Sequence, residues 1–202
     1  MPTKDSIPVD RRLTKGGRTR QRILDSAAAA FARDGVDTVS MNDVAAAAGL
    51  QTGSLYFHFA SKEALIEEVL REGIGQSVAN LDAVLQTQRD VNASPSRLLT
   101  AAIEAHLAAL HNMSDYASVV LRSAANRDRE QGSHFLPQER EYGRRFVSLL
   151  DEAQRAGQLP AGLDPRLIRD LLFGAMNATP LRNRQPEEVA EALTTLLGIA
   201  ER

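Results

Sequence analysis

The sequence predicts an all-α protein, in which a small N-terminal head of three helices precedes a larger helical body. Two observations favour this fold class. Apolar residues recur three and four positions apart through most of the 202 residues, which is the spacing of one helix face. The alternation typical of a half-buried strand is absent, and no Asn-Gly or Asp-Gly pair joins two β-rich runs.

The first helix of the head is predicted over about residues 18 to 33. Gly35 follows it as a C-terminal cap, because glycine readily adopts the backbone conformation with which many helices end. Residues 36 to 39 then cross to the next helix. The apolar positions of the first helix are Ile23, Leu24, Ala27, Ala28 and Phe31.

Two short helices joined by a tight turn complete the head. Ser40 and Asp43 stand where a helix start favours a hydroxyl and a carboxylate, which predicts a helix from Met41 to Ala48. Gly49 ends this helix, and another is predicted from about Gln51 to His58. The residues expected to face inward together are Val44, Ala48, Leu50, Leu55 and Phe59.

The opposite face of the second short helix carries small, hydroxylated and aromatic polar groups. Such side chains can approach base edges and phosphates closely. A helix-turn-helix places this face in the major groove of DNA, so the stretch is predicted to read DNA. The alternative is a helical hairpin that only packs. The outward residues are Thr52, Gly53, Ser54, Tyr56 and His58.

Residues 49 to 62 resemble the recognition-helix signature of TetR-family transcriptional regulators. The matching features are Gly49, a Gly-x-Leu-Tyr run that begins at Gly53, a His-Phe pair that begins at His58, and Lys62. The resemblance covers about residues 18 to 70 and includes a Thr-Arg-x-x-Ile-Leu-x-x-Ala run that begins at Thr19.

Gln51 departs from the family pattern, which has Ser at the start of the recognition helix. Glutamine is a poor N-cap because its side chain is longer than the capping geometry favours. Either Gln51 or Thr52 is therefore the first residue of this helix to contact DNA. The full set of predicted DNA contacts is Lys15, Arg18, Arg20, Ser40, Met41, Gln51, Thr52, Gly53, Ser54, Tyr56, Phe57, His58 and Lys62.

The charge distribution supports a DNA partner better than the net charge does. The whole chain carries −2, but residues 1 to 22 hold seven basic and two acidic groups and so carry +5. A basic arm beside a DNA-reading helix attracts phosphates and can reach the minor groove. The alternative for residues 1 to 14 is a solvated disordered tail. We expect an arm over residues 1–17, a DNA-binding domain over 18–64 and a body over 65–202.

The body is predicted as a series of amphipathic helices. A long helix begins at Lys62, with Ser61 as its cap, and its apolar stripe continues to Leu85 through Gly73 and Gly75, which are expected to soften it. Residues 88 to 97 and 127 to 137 are predicted loops. Further helices are predicted from the Ser94-Pro95 pair to about residue 112, over about residues 115 to 127 and 138 to 156, from the Asp164-Pro165 pair to about residue 178, and from residue 186 onward.

The TetR resemblance implies that the body forms a homodimer through its last helices and holds a small-molecule effector. The helix over residues 164 to 178 is apolar around more of its circumference than one core absorbs, which independently favours a subunit interface. Two such heads would bind a near-palindromic operator on double-stranded DNA. The predicted interface residues are Leu149, Leu167, Leu171, Ala175, Leu193 and Leu197.

Three runs in the body are Ala-His-Leu-Ala-Ala-Leu near residues 105 to 110, Val-Val-Leu-Arg near 119 to 122 and Leu-Asp-Pro-Arg-Leu near 163 to 167. With these runs the body also resembles the TetR-family subset that senses acyl-CoA thioesters or sterol-derived relatives. Under that resemblance the effector is largely apolar, and Arg122, Arg127 or Arg129 meets a phosphate; the alternative is that these arginines are solvated surface residues. The predicted ligand-binding residues are Ile103, His106, Leu107, Leu110, Arg122, Phe146, Leu150, Leu172 and Met176.

Other classes of protein fit the sequence less well. No apolar run is long enough for a membrane span or a signal peptide, and no cysteine is present, so a cytoplasmic protein without a membrane partner, disulfide or thiolate metal site is predicted. His106 and His111 lie five residues apart, which is the wrong spacing for a shared metal on one helix face. We therefore predict no catalytic residue, metal or cofactor; the alternatives are an architectural DNA binder without an effector and a helical enzyme that uses His106.

Overall fold

The structure, a computed structural model, describes residues 14–112, 114–127, 137–180 and 184–199. Within these residues the chain forms helices and no strand, which confirms the predicted all-α fold class. No helix in the described part is long and apolar enough to cross a membrane. The helices are α1 (Lys15–Asp34), α2 (Met41–Ala47), α3 (Thr52–His58), α4 (Lys62–Asp90), α5 (Pro95–His111), α6 (Asp115–Arg127), α7 (Pro137–Arg155), α8 (Pro165–Asn177) and α9 (Pro186–Leu197).

The chain divides into two compact units, Met1–Leu70 and Arg71–Arg202. In the first unit α1 begins at Lys15, three residues before the predicted start. Thr14 caps it, because the Thr14 hydroxyl accepts a hydrogen bond of 3.0 Å from the backbone N–H of Gly17. The helix ends as predicted at Gly35, whose φ of +88° is one that glycine adopts without strain.

The core of the first unit joins α1, α2, α3 and the start of α4. The predicted inward residues of α1 are all buried, and those of the helical hairpin are buried with the exception of Leu50, which is half-buried. Three residues of α4, namely Leu65, Val69 and Leu70, contribute to the buried set of this unit. These contacts fix α3 against the unit through one face, so its other face is left exposed.

The long helix α4 runs without a break through both glycines that were expected to soften it. Gly73 is buried, and a Cβ added there would lie 3.0 Å from Val120 Cγ2 and 3.1 Å from the carbonyl oxygen of Tyr116. Gly75 is exposed, and a Cβ there would meet no atom within 4 Å. Gly73 therefore permits the close approach of α4 to α6, whereas Gly75 has no such role.

We expect Gly73→Ala to lower the free energy of unfolding by about 1–3 kcal/mol, because the added methyl group overpacks the contact between α4 and α6. Gly75→Ala is the matched control and should raise it by up to about 1 kcal/mol, since alanine is the better helix former. Urea denaturation of both variants measures the difference. Equal effects of the two substitutions would contradict the role of Gly73 in close packing.

The second unit is built around α5, which contacts α6, α7, α8 and α9. Among the described residues of this unit, nineteen buried apolar side chains form a continuous core, here called the body core. The helix starts agree with the sequence: Ser94 and Asp164 cap α5 and α8, and a proline follows each cap. The loop predicted over residues 127 to 137 lies almost entirely outside the described residues.

An ion pair links α4 to α7 at the edge of this core. Arg145 donates to Asp82 through Nε at 2.6 Å and Nη2 at 2.8 Å, and the side chains are 24% and 49% exposed. The pair holds the pKa of the Asp82 carboxyl below its usual value, chiefly through these hydrogen bonds. Because it is solvated, its contribution to stability is on the order of 1 kcal/mol or less.

Candidate functional site

The first candidate site is the exposed side of the hairpin formed by α2 and α3. A capping box fixes the start of α2: Ser40 N donates to Asp43 Oδ2 at 2.9 Å, and Asp43 N donates to Ser40 Oγ at 3.2 Å. The hydrogen bonds from Ser40 lower the pKa of the Asp43 carboxyl, so the cap is charged at neutral pH. The cap sets the direction in which α2 leaves the preceding loop.

The turn between the two helices depends on Gly49. Its φ is +65°, in the left-handed region that disfavours other residues. The backbone N–H groups of Gly49 and Leu50 donate to Ala46 and Ala45 and close the end of α2. Thr52 adds a contact across the turn, since its hydroxyl lies 2.8 Å from Asn42 Oδ1. Both ends of the turn are thus held by hydrogen bonds.

Helix α3 buries one face and exposes the other. Leu55 and Phe59 are 0% and 4% exposed, whereas Tyr56 and Phe57 are 50% and 87% exposed. Gln51 makes no side-chain capping hydrogen bond, as its length predicts. The exposure of Tyr56 and Phe57 leaves both rings available for contact with a partner. The recognition face consists of the exposed residues Gln51, Gly53, Ser54, Tyr56 and Phe57.

Two of the predicted DNA contacts, Met41 and Arg20, contact other residues of the first unit. Met41 is only 7% exposed and packs in the core of the first unit, which corrects its assignment as a DNA contact. Arg20 pairs with Glu68 at 3.0 Å and lies 4.8 Å from the centre of the Phe59 ring. These two contacts hold α1 near the end of α3, but the Arg20 side chain is still 40% exposed, and its contact with DNA stays a prediction.

The remaining predicted contacts on α1, α3 and α4 are exposed or half-buried. Lys15 and Arg18 are exposed on the first turns of α1, and His58 is half-buried at the end of α3. Lys62 Nζ donates to the carbonyl oxygen of Asp37 at 3.4 Å. Their contacts with DNA stay predictions.

The second candidate site lies in the body core. The apolar residues predicted to bind the effector are all 9% exposed or less and belong to this one cluster. Arg122 is exposed on α6, and the positions of the Arg127 and Arg129 side chains lie outside the described residues. The apolar members are Ile103, Leu107, Leu110, Phe146, Leu150, Leu172 and Met176.

A polar group is embedded beside this core at His106. His106 Nδ1 lies 3.0 Å from Tyr142 Oη, and Nε2 lies 3.1 Å from Asn177 Oδ1. The imidazole stacks on Phe173, with ring centres 5.3 Å apart and planes 13° apart, and meets the edge of Phe146. The three polar side chains come from α5, α7 and α8, so they tie together the helices that form the site.

Sequence reasoning identified His106 but missed two of its neighbours. Asn177 is the last residue of α8, where an asparagine is ordinarily interpreted as part of a helix end. Phe173 lies one turn earlier and extends the same face. The spacing of four residues between Phe173 and Asn177 is the signal that could have linked them to one site.

Burial of His106 lowers its pKa to about 4, with desolvation as the largest cause, and the hydrogen bond with Asn177 opposes part of that shift. Burial also raises the pKa of Tyr142. Both side chains are therefore neutral at physiological pH. His106 and Tyr142 thus form a polar but uncharged group beside the apolar body core.

The lowered pKa predicts a loss of stability in acid. The unfolded chain binds a proton at His106 near pH 6.5, whereas the folded protein binds it only near pH 4, so protonation favours unfolding as the pH falls across this window. The full effect is about 3 kcal/mol. We expect His106→Gln to remove that part of the pH dependence in denaturation experiments between neutral pH and pH 4. His111→Gln, at an exposed position on the same helix, should retain it; an identical loss in both variants would contradict the assignment.

A third feature is an exposed apolar surface on α8. Leu167 and Leu171 are 55% and 67% exposed, and Ala175 is exposed one turn later; these three residues form the α8 face. Leu196 on α9 is 83% exposed and was missed, although it lies next to the predicted Leu197. Leucines this exposed are typical of a surface that a partner covers.

Two residues assigned to a subunit interface are buried within their own chain. Leu149 is 2% exposed and Leu193 is 9% exposed, and both pack in the body core. A side chain that its own chain covers cannot also contact a partner, so these assignments are corrected. Leu197 is partly buried against the same core.

Comparison with known proteins gives matches over most of the chain. The model for the family described as bacterial regulatory proteins, tetR family, matches residues 23–69, and the model for a tetracyclin repressor-like C-terminal domain matches residues 92–197. The HTH-type transcriptional repressor KstR2 of Rhodococcus jostii (strain RHA1) is 29% identical over 173 residues, which cover 84% of this chain and 83% of that protein.

Two further relatives extend this picture. The fatty acid metabolism regulator protein of Bacillus subtilis (strain 168) is 25% identical over 161 residues, covering 78% of this chain and 79% of that protein. The solved structure of the ketosteroid transcriptional regulator KstR2 of Mycobacterium tuberculosis superposes with a TM-score of 0.64 at 25% identity, covering 89% of this chain and 91% of that chain. These relatives are transcriptional regulators, not enzymes.

Proposed function

The chain belongs to the TetR family of bacterial regulatory proteins, and from this premise we propose that it is a repressor which a small, largely apolar effector releases from a near-palindromic operator. DNA-binding regulation is the function of the family. The effector that we propose is an acyl-CoA-like or sterol-like compound.

The recognition face carries the proposal. It combines two exposed aromatic side chains with a glycine and a serine that allow close approach, on a helix fixed by the buried Leu55 and Phe59. A rigid element that presents small and aromatic side chains suits contact with base edges and phosphates in the major groove. Exposed basic residues at the start of α1 supply phosphate attraction beside it.

The apolar character of the effector is supported by the second unit. The body core combines uncharged residues with one neutral polar network, which suits an apolar skeleton bearing few polar atoms. One relative regulates fatty acid metabolism and another is a ketosteroid regulator, by their descriptions. An acyl chain or a sterol skeleton is the effector class consistent with both observations.

We propose that two copies of the chain form a homodimer whose interface includes the α8 face. A twofold dimer presents two recognition helices to two half-sites, which makes the operator near-palindromic. Effector binding and DNA binding then oppose each other by linkage, because each favours a different separation of the two recognition helices. We propose that α4, which is continuous from Lys62 to Asp90, transmits the change.

The test of this proposal is competition between effector and operator. Fluorescence anisotropy of a labelled operator duplex would be measured with lauroyl-CoA, with a ketosteroid and with free coenzyme A as the control. We expect one of the first two to weaken operator binding by about 5- to 150-fold, the usual range for such coupling, and coenzyme A to have no effect. Operator affinity that stays constant with every compound would overturn effector release and favour an architectural DNA binder.

A further inference from the structure

The hydrogen bonds that join Tyr142, His106 and Asn177 beside the body core have a direction that follows from the chemistry of these groups. Asn177 Oδ1 can only accept a hydrogen bond, so the proton of the imidazole lies on His106 Nε2. The ring is neutral, and its Nδ1 therefore accepts from the hydroxyl of Tyr142. The donors point in one direction along the chain of hydrogen bonds, from Tyr142 through His106 to Asn177.

This chain of hydrogen bonds ends at the amide nitrogen of Asn177. Within the described residues, its N–H groups take part in no hydrogen bond, whereas its oxygen is held by His106. Hydrogen bonds in series polarise one another, so accepting from His106 makes the Asn177 N–H groups stronger donors. The side chain is also half-buried rather than solvated. Asn177 thus presents an oriented donor at the side of an apolar cluster.

The surroundings of this donor favour a neutral partner over an anion. The rings of Phe146 and Phe173 contact His106, and the residues of the body core are apolar. Arg169 of α8 lies against Gly143, but its guanidinium is already paired with Asp170 at 2.7 Å. A carboxylate placed here would lose its hydration without gaining an unpaired cation, which is costly. A carbonyl oxygen loses much less hydration and needs only a donor.

We propose that Asn177, held by His106 and Tyr142, determines effector specificity by donating to the neutral carbonyl oxygen of a ketone or thioester on an apolar skeleton. The site rejects the corresponding carboxylate. This inference rests on the proposed function, since it places the effector of the second unit at this network. Asn177 contacts the effector, whereas His106 and Tyr142 are positioning residues that orient its amide.

The test compares three probes that share an undecyl chain on the carbonyl carbon: methyl undecyl ketone, the S-methyl thioester of lauric acid, and lauric acid. Calorimetric binding to the full chain at neutral pH should give the ketone and the thioester at least about tenfold higher affinity than the acid. In Asn177→Leu this preference should fall below about twofold. Asn112→Leu, at the exposed end of α5, is the control and should preserve it.

Two further measurements test the direction of the network, and the first of them needs neither a ligand nor a variant. Nitrogen NMR of the labelled imidazole in the wild-type protein should show His106 as the neutral tautomer with its proton on Nε2. His106→Phe should weaken ketone binding while leaving acid binding unchanged, because the Asn177 amide loses its orientation. The opposite tautomer would overturn the proposal.

The outcomes separate this inference from the proposed function. Release of the operator by lauroyl-CoA with the same affinity in wild type and Asn177→Leu would overturn the role of Asn177 and leave effector release intact. Failure of all three probes to bind would overturn the proposed site itself. Ketone binding that depends on Asn177 but leaves operator affinity unchanged would support the carbonyl site and overturn effector release.

Discussion

Gly53→Glu is expected to weaken operator binding by at least about 100-fold while the protein stays folded. Gly53 is exposed in the first turn of α3, and a Cβ added there meets no atom within 4 Å, so the substitution creates no clash inside the chain. A carboxylate at this position would face the phosphates and base edges of the bound duplex, and like charges in an interface cost several kcal/mol. Anisotropy titration of the operator duplex measures the loss.

The stability of the same variant should rise slightly. Glutamate is a better helix former than glycine by somewhat less than about 1 kcal/mol, and an acidic group is favourable in the first turn of a helix. If Gly53→Glu loses DNA binding but keeps its stability, the loss reflects a changed contact with DNA and not unfolding. Gly75→Glu, at an open position on α4, is the control and should bind the operator normally. Normal operator binding by Gly53→Glu would show that α3 does not face DNA.

Leu171→Asp is expected to convert the proposed dimer to a monomer. Leu171 is 67% exposed at the centre of the α8 face, and twofold symmetry would bury two unpaired carboxylates for each substitution. Sedimentation velocity at micromolar concentration should show one species of half the wild-type mass. Operator affinity should fall at least about 100-fold as well, because the two heads no longer act as a linked pair.

The control for this variant is Val91→Asp. Val91 is 70% exposed just after α4 and lies outside α8 and α9, so a carboxylate there stays solvated. It should leave both the mass and the operator affinity unchanged. A Leu171→Asp protein that remains dimeric would remove the α8 face from the interface and direct attention to Leu196 on α9.

The fold could be predicted from the sequence because helices are encoded locally. Apolar spacing located every helix in the described part, and the Ser40 cap and the Gly49 turn were predicted from residue type alone. The start of α1 was placed three residues late, because Thr14 lies among polar residues that also suit a disordered arm. Local signals fix where a helix lies, within a turn or so at its ends.

The packing of one helix against another could not be predicted from the same apolar spacing. Periodicity indicates that a leucine faces something apolar but not which neighbour covers it, so Leu149 and Leu193 were assigned to a subunit interface although their own chain buries them. Gly73 illustrates the same limit. Its helix propensity predicts a weak point in α4, whereas its contact with α6 depends on a residue far along the chain.

The network at His106 depends on three helices that the sequence cannot position against one another. The pairing of His106 with Tyr142 spans 36 residues of the chain, and its pairing with Asn177 spans 71. No spacing rule operates over such separations. The polar part of the site therefore required the structure, whereas its apolar part followed from helix faces.

The central claim, that this chain is a dimeric reader of a specific DNA sequence, is tested most directly by selection of bound duplexes from a random pool. We predict recovery of a near-palindromic consensus by the wild-type protein and its absence with Gly53→Glu. A salt titration on the selected duplex should show affinity falling steeply with salt while the consensus is still preferred. Recovery of no consensus, with equally salt-sensitive binding to every duplex, would contradict the claim.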